Sequence, residues 1–207
     1  EKMRKDAIAK RAPVLGKWLW IIFWLVIPSS IGSIMSHETT AKILPGLLMP
    51  GQIINAICSL TYGAILLKLG SEEDRYRTAG ICALIAGGVS AVVAIITVAA
   101  EEATWTLLFT LPAAVVAMVS EYNEYMAHSA VLSGVDNELS EKWEVLWKWY
   151  IGLFLGMFGC IIVMLIIPIL GALAILGCAI GTVVVSILKL IYLYRTAKNF
   201  REYPVGV

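Results

Sequence analysis

Four polar side chains recur at helical spacing in an otherwise apolar stretch. Gln52, Asn55, Ser59 and Tyr62 stand at i, i+3, i+7 and i+10, which places them on one face of a helix. Their amide and hydroxyl groups donate and accept hydrogen bonds without carrying charge. The spacing predicts a polar lining for a cavity, pore or solute-binding site. The alternative is hydrogen bonding between helices, with partners among Ser29, Ser33, Ser90 and Thr110.

A second group of side chains has the composition of a metal site. Glu121, Glu124 and His128 stand at i, i+3 and i+7, on one face of a continuous helix, and carboxylate and imidazole groups bind divalent metals. The Glu-x-x-His spacing of di-iron carboxylate helices is absent. A solvated polar face, with Glu124 and His128 paired at i, i+4, is therefore the favoured interpretation. We assign no catalytic residue and no cofactor, and an enzyme is the least favoured class.

The segment from residue 121 to 148 is strongly acidic, with six acidic residues against two lysines. Its second half predicts an amphipathic helix on the inner membrane surface. The apolar face of that helix comprises Leu139, Trp143, Leu146, Trp147 and Tyr150. Its polar face carries Glu138, Glu141 and Glu144, which predict a surface for a basic protein partner or for the leader's own Lys and Arg. A simple solvated face is the alternative.

The overall composition places these residues in a membrane protein. The chain has 207 residues, of which 59% are hydrophobic and 15% charged, whereas ordinary soluble domains have about 45–50% and about 25%. This excludes a typical soluble globular protein. The formal net charge is +1, so no strong positive field recruits nucleic acid.

The distribution of charge-free segments predicts an all-α integral membrane protein with six transmembrane helices arranged as three hairpins. About 20 apolar residues are needed to cross a bilayer. The first four segments cover about 18–35, 52–67, 78–100 and 103–120. The charge-free stretch 150–188 is long enough for two crossings, and Pro168 and Gly171 mark the reversal. Glu101 and Glu102 mark the turn between the third and fourth.

The basic residues orient this bundle. Fifteen of the 16 Lys and Arg residues fall on one predicted side and only Lys42 falls on the other. The positive-inside rule places both termini in the cytoplasm, and we expect a bacterial plasma membrane, the inner membrane. The predicted organisation is a basic leader (1–17), transmembrane helices 1–4 (18–120), the acidic loop (121–148), transmembrane helices 5–6 (149–194) and a basic tail (195–207).

Small residues provide faces for helix packing. Such faces are Gly152 with Gly156, Gly177 with Gly181, and the group Ala83, Gly87 and Ala91. Close approach through small residues is a main means of helix association in lipid. The packing partner is another helix of the chain or, alternatively, a second copy in a homo-oligomer. The four cysteines, Cys58, Cys82, Cys160 and Cys178, have no zinc or disulfide spacing and are expected to be buried filler.

The functional expectation follows from the absence of charge inside the predicted spans. Ionisable residues inside the membrane are typical of proton relays and pumps. We therefore expect a small transporter, channel or solute-binding membrane subunit that uses neutral polar groups. The alternative is a membrane-embedded scaffold or sensor subunit that binds a protein partner through its acidic helix.

Overall fold

The computed structural model describes residues 2–99 and 104–203, with side chains described except at 2–5, 38, 39, 41, 45, 94–99, 104–107 and 110. Within these ranges the regular secondary structure is entirely helical. The α-helices are α1 Lys2–Ser36, α2 Glu38–Ile43, α3 Leu48–Leu69, α4 Asp74–Ala99, α5 Thr104–Leu132, α6 Asn137–Ile166 and α7 Pro168–Arg201, and a 3-10 turn covers Pro45–Leu47.

The helices confirm the all-α class, and many are long enough for a membrane. Five segments are long and apolar enough to cross one: 6–36, 48–69, 74–93, 137–166 and 168–201. Helix α5 is the sixth long helix, with 29 residues. Its predicted span starts at residue 103, which lies outside the described residues. Glu101 and Glu102 also lie outside them. The number of crossings and the sidedness of the termini stay predictions.

The six long helices form a ring in chain order. Helix α1 packs against α3, and α3 against α4; the contacts then continue through α5 and α6 to α7, which returns to α1. The turn between α6 and α7 falls where Pro168 and Gly171 predict it, with Ile167 as the only residue between the two helices. This closed arrangement leaves space at the centre of the bundle.

The tightly packed core occupies one end of the bundle. Its fully buried large side chains are Leu15, Leu19, Ile22, Leu66, Leu69, Tyr76, Tyr125, Leu132, Leu139, Trp143, Leu193 and Phe200. The turn between α6 and α7 is highly exposed by contrast, since Leu165 is 80% exposed and Ile169 is 79% exposed. Exposed apolar side chains in such numbers are typical of a surface that meets lipid.

The predicted amphipathic surface helix between the fourth and fifth spans is wrong as a separate element. Helix α6 runs without interruption from Asn137 to Ile166. Asp136 caps its start by accepting a hydrogen bond from the Leu139 backbone N–H at 2.9 Å. The predicted apolar face is buried at Leu139, Trp143 and Leu146. These side chains pack inside the bundle against α5 and α7, as Trp143 does against the rings of Tyr125 and Tyr192.

The basic leader is likewise part of a longer helix. The predicted boundary at residue 17 falls inside α1, which continues to Ser36. Ala12 and Leu15 are fully buried in the core. The first part of α1 is therefore a packed segment of the bundle.

The glycine faces of α6 and α7 pack within the chain at one glycine of each pair. A Cβ at Gly181 would lie 2.7 Å from Leu153 Cδ2, and one at Gly156 would lie 3.8 Å from Cys178 Sγ. Gly152 and Gly177 have nothing within 4 Å of such a Cβ. Cys160 Sγ and Cys178 Sγ lie 3.7 Å apart, and all four cysteines are free. Three of the four are only half-buried, and Cys58 is buried as expected.

Gly171 is the position where the α6–α7 turn tolerates no side chain. A Cβ there would collide with the Met164 backbone. We predict that Gly171→Ala destabilises the protein by about 1–3 kcal/mol, the usual cost of overpacking, measured by thermal or denaturant unfolding in detergent. The matched control is Gly177→Ala, which has open space around it. Equal stability of the two variants would contradict the close contact.

Candidate functional site

A cavity of about 810 Å³ lies between the six long helices. This volume is in the range of small-molecule sites, about 300–1,000 Å³. Small residues of α4 create much of the space, namely Ala83, Ala86, Gly87, Ser90 and Ala91. The predicted packing face of α4 therefore serves mainly to line the cavity. At Gly87 it also approaches α3, because a Cβ added there would lie 3.6 Å from Ser59 Cβ.

All four residues of the predicted polar stripe line this cavity. Gln52, Asn55, Ser59 and Tyr62 descend one wall along α3. Hydrogen bonding with one of the predicted partner residues holds for Asn55. Asn55 Oδ1 accepts a hydrogen bond from Ser33 Oγ at 3.3 Å, and Asn55 Nδ2 donates one to Ser36 Oγ at 3.2 Å.

The other proposed partners of the stripe have different positions. Ser29 of α1 and Ser90 of α4 line the same cavity as the stripe. The side chain of Thr110 lies outside the described residues. The stripe thus supplies polar groups to the cavity and ties α3 to α1 at a single position, Asn55.

One end of the cavity is charged, which corrects the expectation of purely neutral walls. Lys189 Nζ lies 2.8 Å from Glu121 Oε2 and 3.3 Å from Glu124 Oε1. The three side chains line the cavity, and we call them the ionic cluster. Lys189 is 21% exposed, Glu121 31% and Glu124 1%. Such withdrawal from water requires charges to be paired.

Tyrosine rings surround the ionic cluster. The Lys189 ammonium lies 5.0 Å from the centre of the Tyr125 ring, within the range of a cation–π interaction. Tyr62 and Tyr150 line the same cavity, and the Tyr62 hydroxyl lies close to the Glu124 carboxylate. The charged end therefore combines carboxylate oxygens with aromatic faces.

His128 connects the ionic cluster to the packed core, so the predicted solvated face is wrong. It is fully buried, and its Nε2 lies 3.5 Å from Glu124 Oε1, which confirms the predicted i, i+4 pair. Its Nδ1 lies 2.8 Å from the Tyr76 hydroxyl. The ring stacks on Trp143 at 4.4 Å between centroids, and the Trp143 indole donates to Thr196 Oγ1 at 3.1 Å. Four helices thus fix one imidazole.

The electrostatics keep Glu124 ionised and His128 neutral. Burial tends to raise the pKa of Glu124, but Lys189 and His128 outweigh it and lower this pKa to about 2. Burial lowers the pKa of His128, and the opposing attraction of Glu124 only partly offsets it. For Glu121, burial raises the pKa, and Glu124 adds to this while Lys189 acts against it. The neutral imidazole that satisfies both neighbours carries its proton on Nε2 and accepts from Tyr76 at Nδ1.

The geometry gives the metal hypothesis no support. Among the described residues, no three His, Cys, Asp or Glu side chains are grouped as ligands. The two carboxylates share the Lys189 ammonium, which provides the positive charge that a metal would bring.

The predicted partner surface lies on the exposed side of α6. Glu138 pairs with Lys142 four residues later, and Glu144 accepts a hydrogen bond from Ser129 Oγ at 3.1 Å. Glu141 is exposed. Two of the three acids therefore have contacts within the chain, and binding of a basic partner stays a prediction.

Sequence reasoning missed Lys189, Tyr76, Trp143 and Thr196 as site residues. Lys189 follows directly after a charge-free segment, a position typical of the basic residues of the inner flank. Its partners are 65 and 68 residues away. The signal available in the sequence was the presence of opposite charges at the same predicted boundary, where Glu121 and Glu124 follow one span and Lys189 follows another.

Comparison with protein-family models, curated proteins and solved structures finds no match for this chain. The site is therefore interpreted from its own geometry.

We predict that His128 makes stability depend on pH. Its pKa is lower in the folded protein than in the unfolded chain, so the unfolded chain binds the extra proton as pH falls below about 6.5, and the folded state loses stability. The unfolding temperature in detergent should fall more steeply between pH 7.5 and 5.5 in the wild type than in His128→Gln. Parallel curves for the two proteins would contradict a neutral buried His128.

We also predict that Lys189→Met is strongly destabilising. It leaves two carboxylates without their cation, and breaking a buried pair costs about 3–5 kcal/mol; the partial exposure of Glu121 and Lys189 places the expected loss at the lower end. Adding Glu121→Gln and Glu124→Gln should restore part of the loss, as measured by denaturant unfolding in detergent. If the protein with Lys189→Met alone were as stable as the wild type, the result would show that the ionic cluster is not formed.

Proposed function

We propose that this protein is an integral membrane protein that binds a small solute in its central cavity and passes it across the bilayer. The proposal is supported most directly by the cavity itself, which combines the polar stripe of α3 with the ionic cluster. Polar and charged groups beside lipid-exposed helices are costly unless they serve a site or a pathway. The residues of α4 that face this space are alanine, glycine and serine, and their small side chains leave it open.

The proposed orientation places the packed, charged end in the cytoplasm of a bacterial cell. Fifteen of the 16 basic residues fall on the predicted inner side, as the positive-inside rule expects. The buried core and the ionic cluster lie at the same end as the start of α1 and the end of α7. The most exposed apolar residues lie at the α6–α7 turn, which fits a lipid environment. The solute would therefore meet neutral polar groups first and the ionic cluster last when it enters from outside.

A second candidate is a membrane-embedded scaffold or sensor subunit. One observation favours it, a shallow groove of about 260 Å³ beside α6. The groove is lined by Glu138, Glu141, Lys142 and the exposed Trp149, together with apolar residues of α6 and α7. It is smaller than the cavity, and its acids are partly paired, so it supports partner binding less strongly than the cavity supports solute binding.

The proposed function predicts uptake that depends on the cavity. Purified protein in liposomes should accelerate uptake of at least one of three radiolabelled probes, neutral erythritol, anionic glutarate and cationic choline, over protein-free liposomes. Ser59→Trp, which fills the cavity, and the double variant Gln52→Leu with Asn55→Leu should each remove most of this uptake. The matched control is Leu60→Trp, because Leu60 is 50% exposed on the outer side of α3, and it should transport like the wild type.

Entry into the cavity is measured independently of the transported solute. Ser59→Cys, in a protein with its four native cysteines replaced by alanine, should react with the neutral reagent N-ethylmaleimide in liposomes, and Ala86→Leu should slow the reaction. Absence of both probe uptake and labelling would overturn the proposed function. Labelling without uptake of any probe would restrict the cavity to binding.

A further inference from the structure

The charge balance of the cavity points to the chemical class of its solute. The inference rests on the proposed function, because it assumes that a solute enters this space. We propose that the cavity binds an organic cation, an amine or quaternary ammonium with an apolar body, whose positive charge lies against Glu121 and Glu124.

The ionic cluster leaves one negative charge uncompensated. Glu121 and Glu124 contribute two carboxylates, and Lys189 is the one cation among the described side chains that line the cavity. The remaining polar lining groups are amides and hydroxyls, and His128 behind Glu124 is neutral. Apolar walls focus the field of such a charge within a cleft. An anionic solute would be repelled, and a cationic one attracted.

Lys189 shows how this end of the cavity holds an ammonium group. Its Nζ contacts a carboxylate oxygen of Glu121 at 2.8 Å and one of Glu124 at 3.3 Å, and it lies 5.0 Å from the Tyr125 ring centre. Carboxylate oxygens with aromatic faces are the groups that proteins use to bind organic ammonium ions. A solute ammonium on the cavity side would approach the most exposed of these groups, the Glu121 carboxylate, which is 31% exposed.

Glu121 presents a carboxylate for such a contact. It is 31% exposed and lines the cavity. Glu124 is 1% exposed, and its Oε1 already lies 3.3 Å from Lys189 Nζ and 3.5 Å from His128 Nε2. Glu124 therefore adds negative charge beside the contact, and Glu121 provides the acceptor that a cationic donor or an ammonium methyl group can approach.

The rest of the cavity fits an apolar body. Leu25, Val26, Ala56, Ala117 and Val185 line it. The volume of about 810 Å³ accommodates a molecule with several rings or a short chain. Apolar walls with one charged end favour an amphiphilic cation over a small inorganic ion, which would have to lose its hydration shell against hydrocarbon.

Two thiol reagents of opposite charge test this proposal. The Ser59→Cys protein in the cysteine-free background is treated at pH 8 with a trimethylammonium and with a sulfonate methanethiosulfonate. Each rate is divided by that reagent's rate with free 2-mercaptoethanol. We expect the normalised rate of the cationic reagent to exceed that of the anionic one by about tenfold or more. Glu121→Gln should remove most of this preference, and the matched control Glu141→Gln, on the exposed side of α6, should keep it.

A matched pair of bulky ions provides a second measurement that requires no charge variant. Tetraphenylphosphonium should protect Ser59→Cys from N-ethylmaleimide, and tetraphenylborate, similar in size and shape with the opposite charge, should not. Equal normalised rates together with equal protection by the two ions would overturn the organic-cation inference. In that case continued labelling by N-ethylmaleimide would leave the proposed solute cavity standing, whereas no labelling by any reagent would overturn both.

Discussion

The contact of Lys189 with Glu121 and Glu124 is the interaction on which the centre of this protein depends. Helices α5 and α7 are separated in the ring by α6, and the ionic cluster joins them across the interior. Charges removed from water are stable only with their partners in place. The long lysine side chain therefore bridges two helices that are not neighbours in the ring. It defines one end of the cavity and keeps that end polar.

The ionic cluster depends in turn on the packed end of the bundle. His128 contacts Glu124 and is itself fixed by Tyr76, by the Trp143 ring and, through that ring, by Thr196. These aromatic groups are fully buried, and their removal from water stabilises this end of the bundle. At the opposite end of the bundle apolar side chains remain exposed, on helices that are long and apolar enough to cross a membrane. Stability and the proposed solute path thus occupy different parts of the same helices.

The helical class, the apolar segments, the turn between α6 and α7 and the polar stripe could be predicted from local patterns. Hydropathy identifies the apolar segments, and Pro168 places the turn between α6 and α7. The i, i+3, i+7 spacing brings Asn55 and Ser59 to one face, and that face does line the cavity. Each of these predictions depends on neighbours along the chain. Predictions that depended on the surroundings of a segment failed, as when the apolar face around Trp143 was assigned to a membrane surface.

The sequence by itself determined that the chain is helical and largely apolar, and that one face of α3 is polar. These properties follow from composition and helical period. Only the tertiary structure decided which charges meet. Glu124 and Lys189 are 65 residues apart, and nothing in either local segment specifies the other as its partner. Their pairing follows from the closure of the ring, in which the return of α7 to α1 turns Lys189 toward the interior. The resulting charge of the cavity is therefore a property of the fold rather than of any segment.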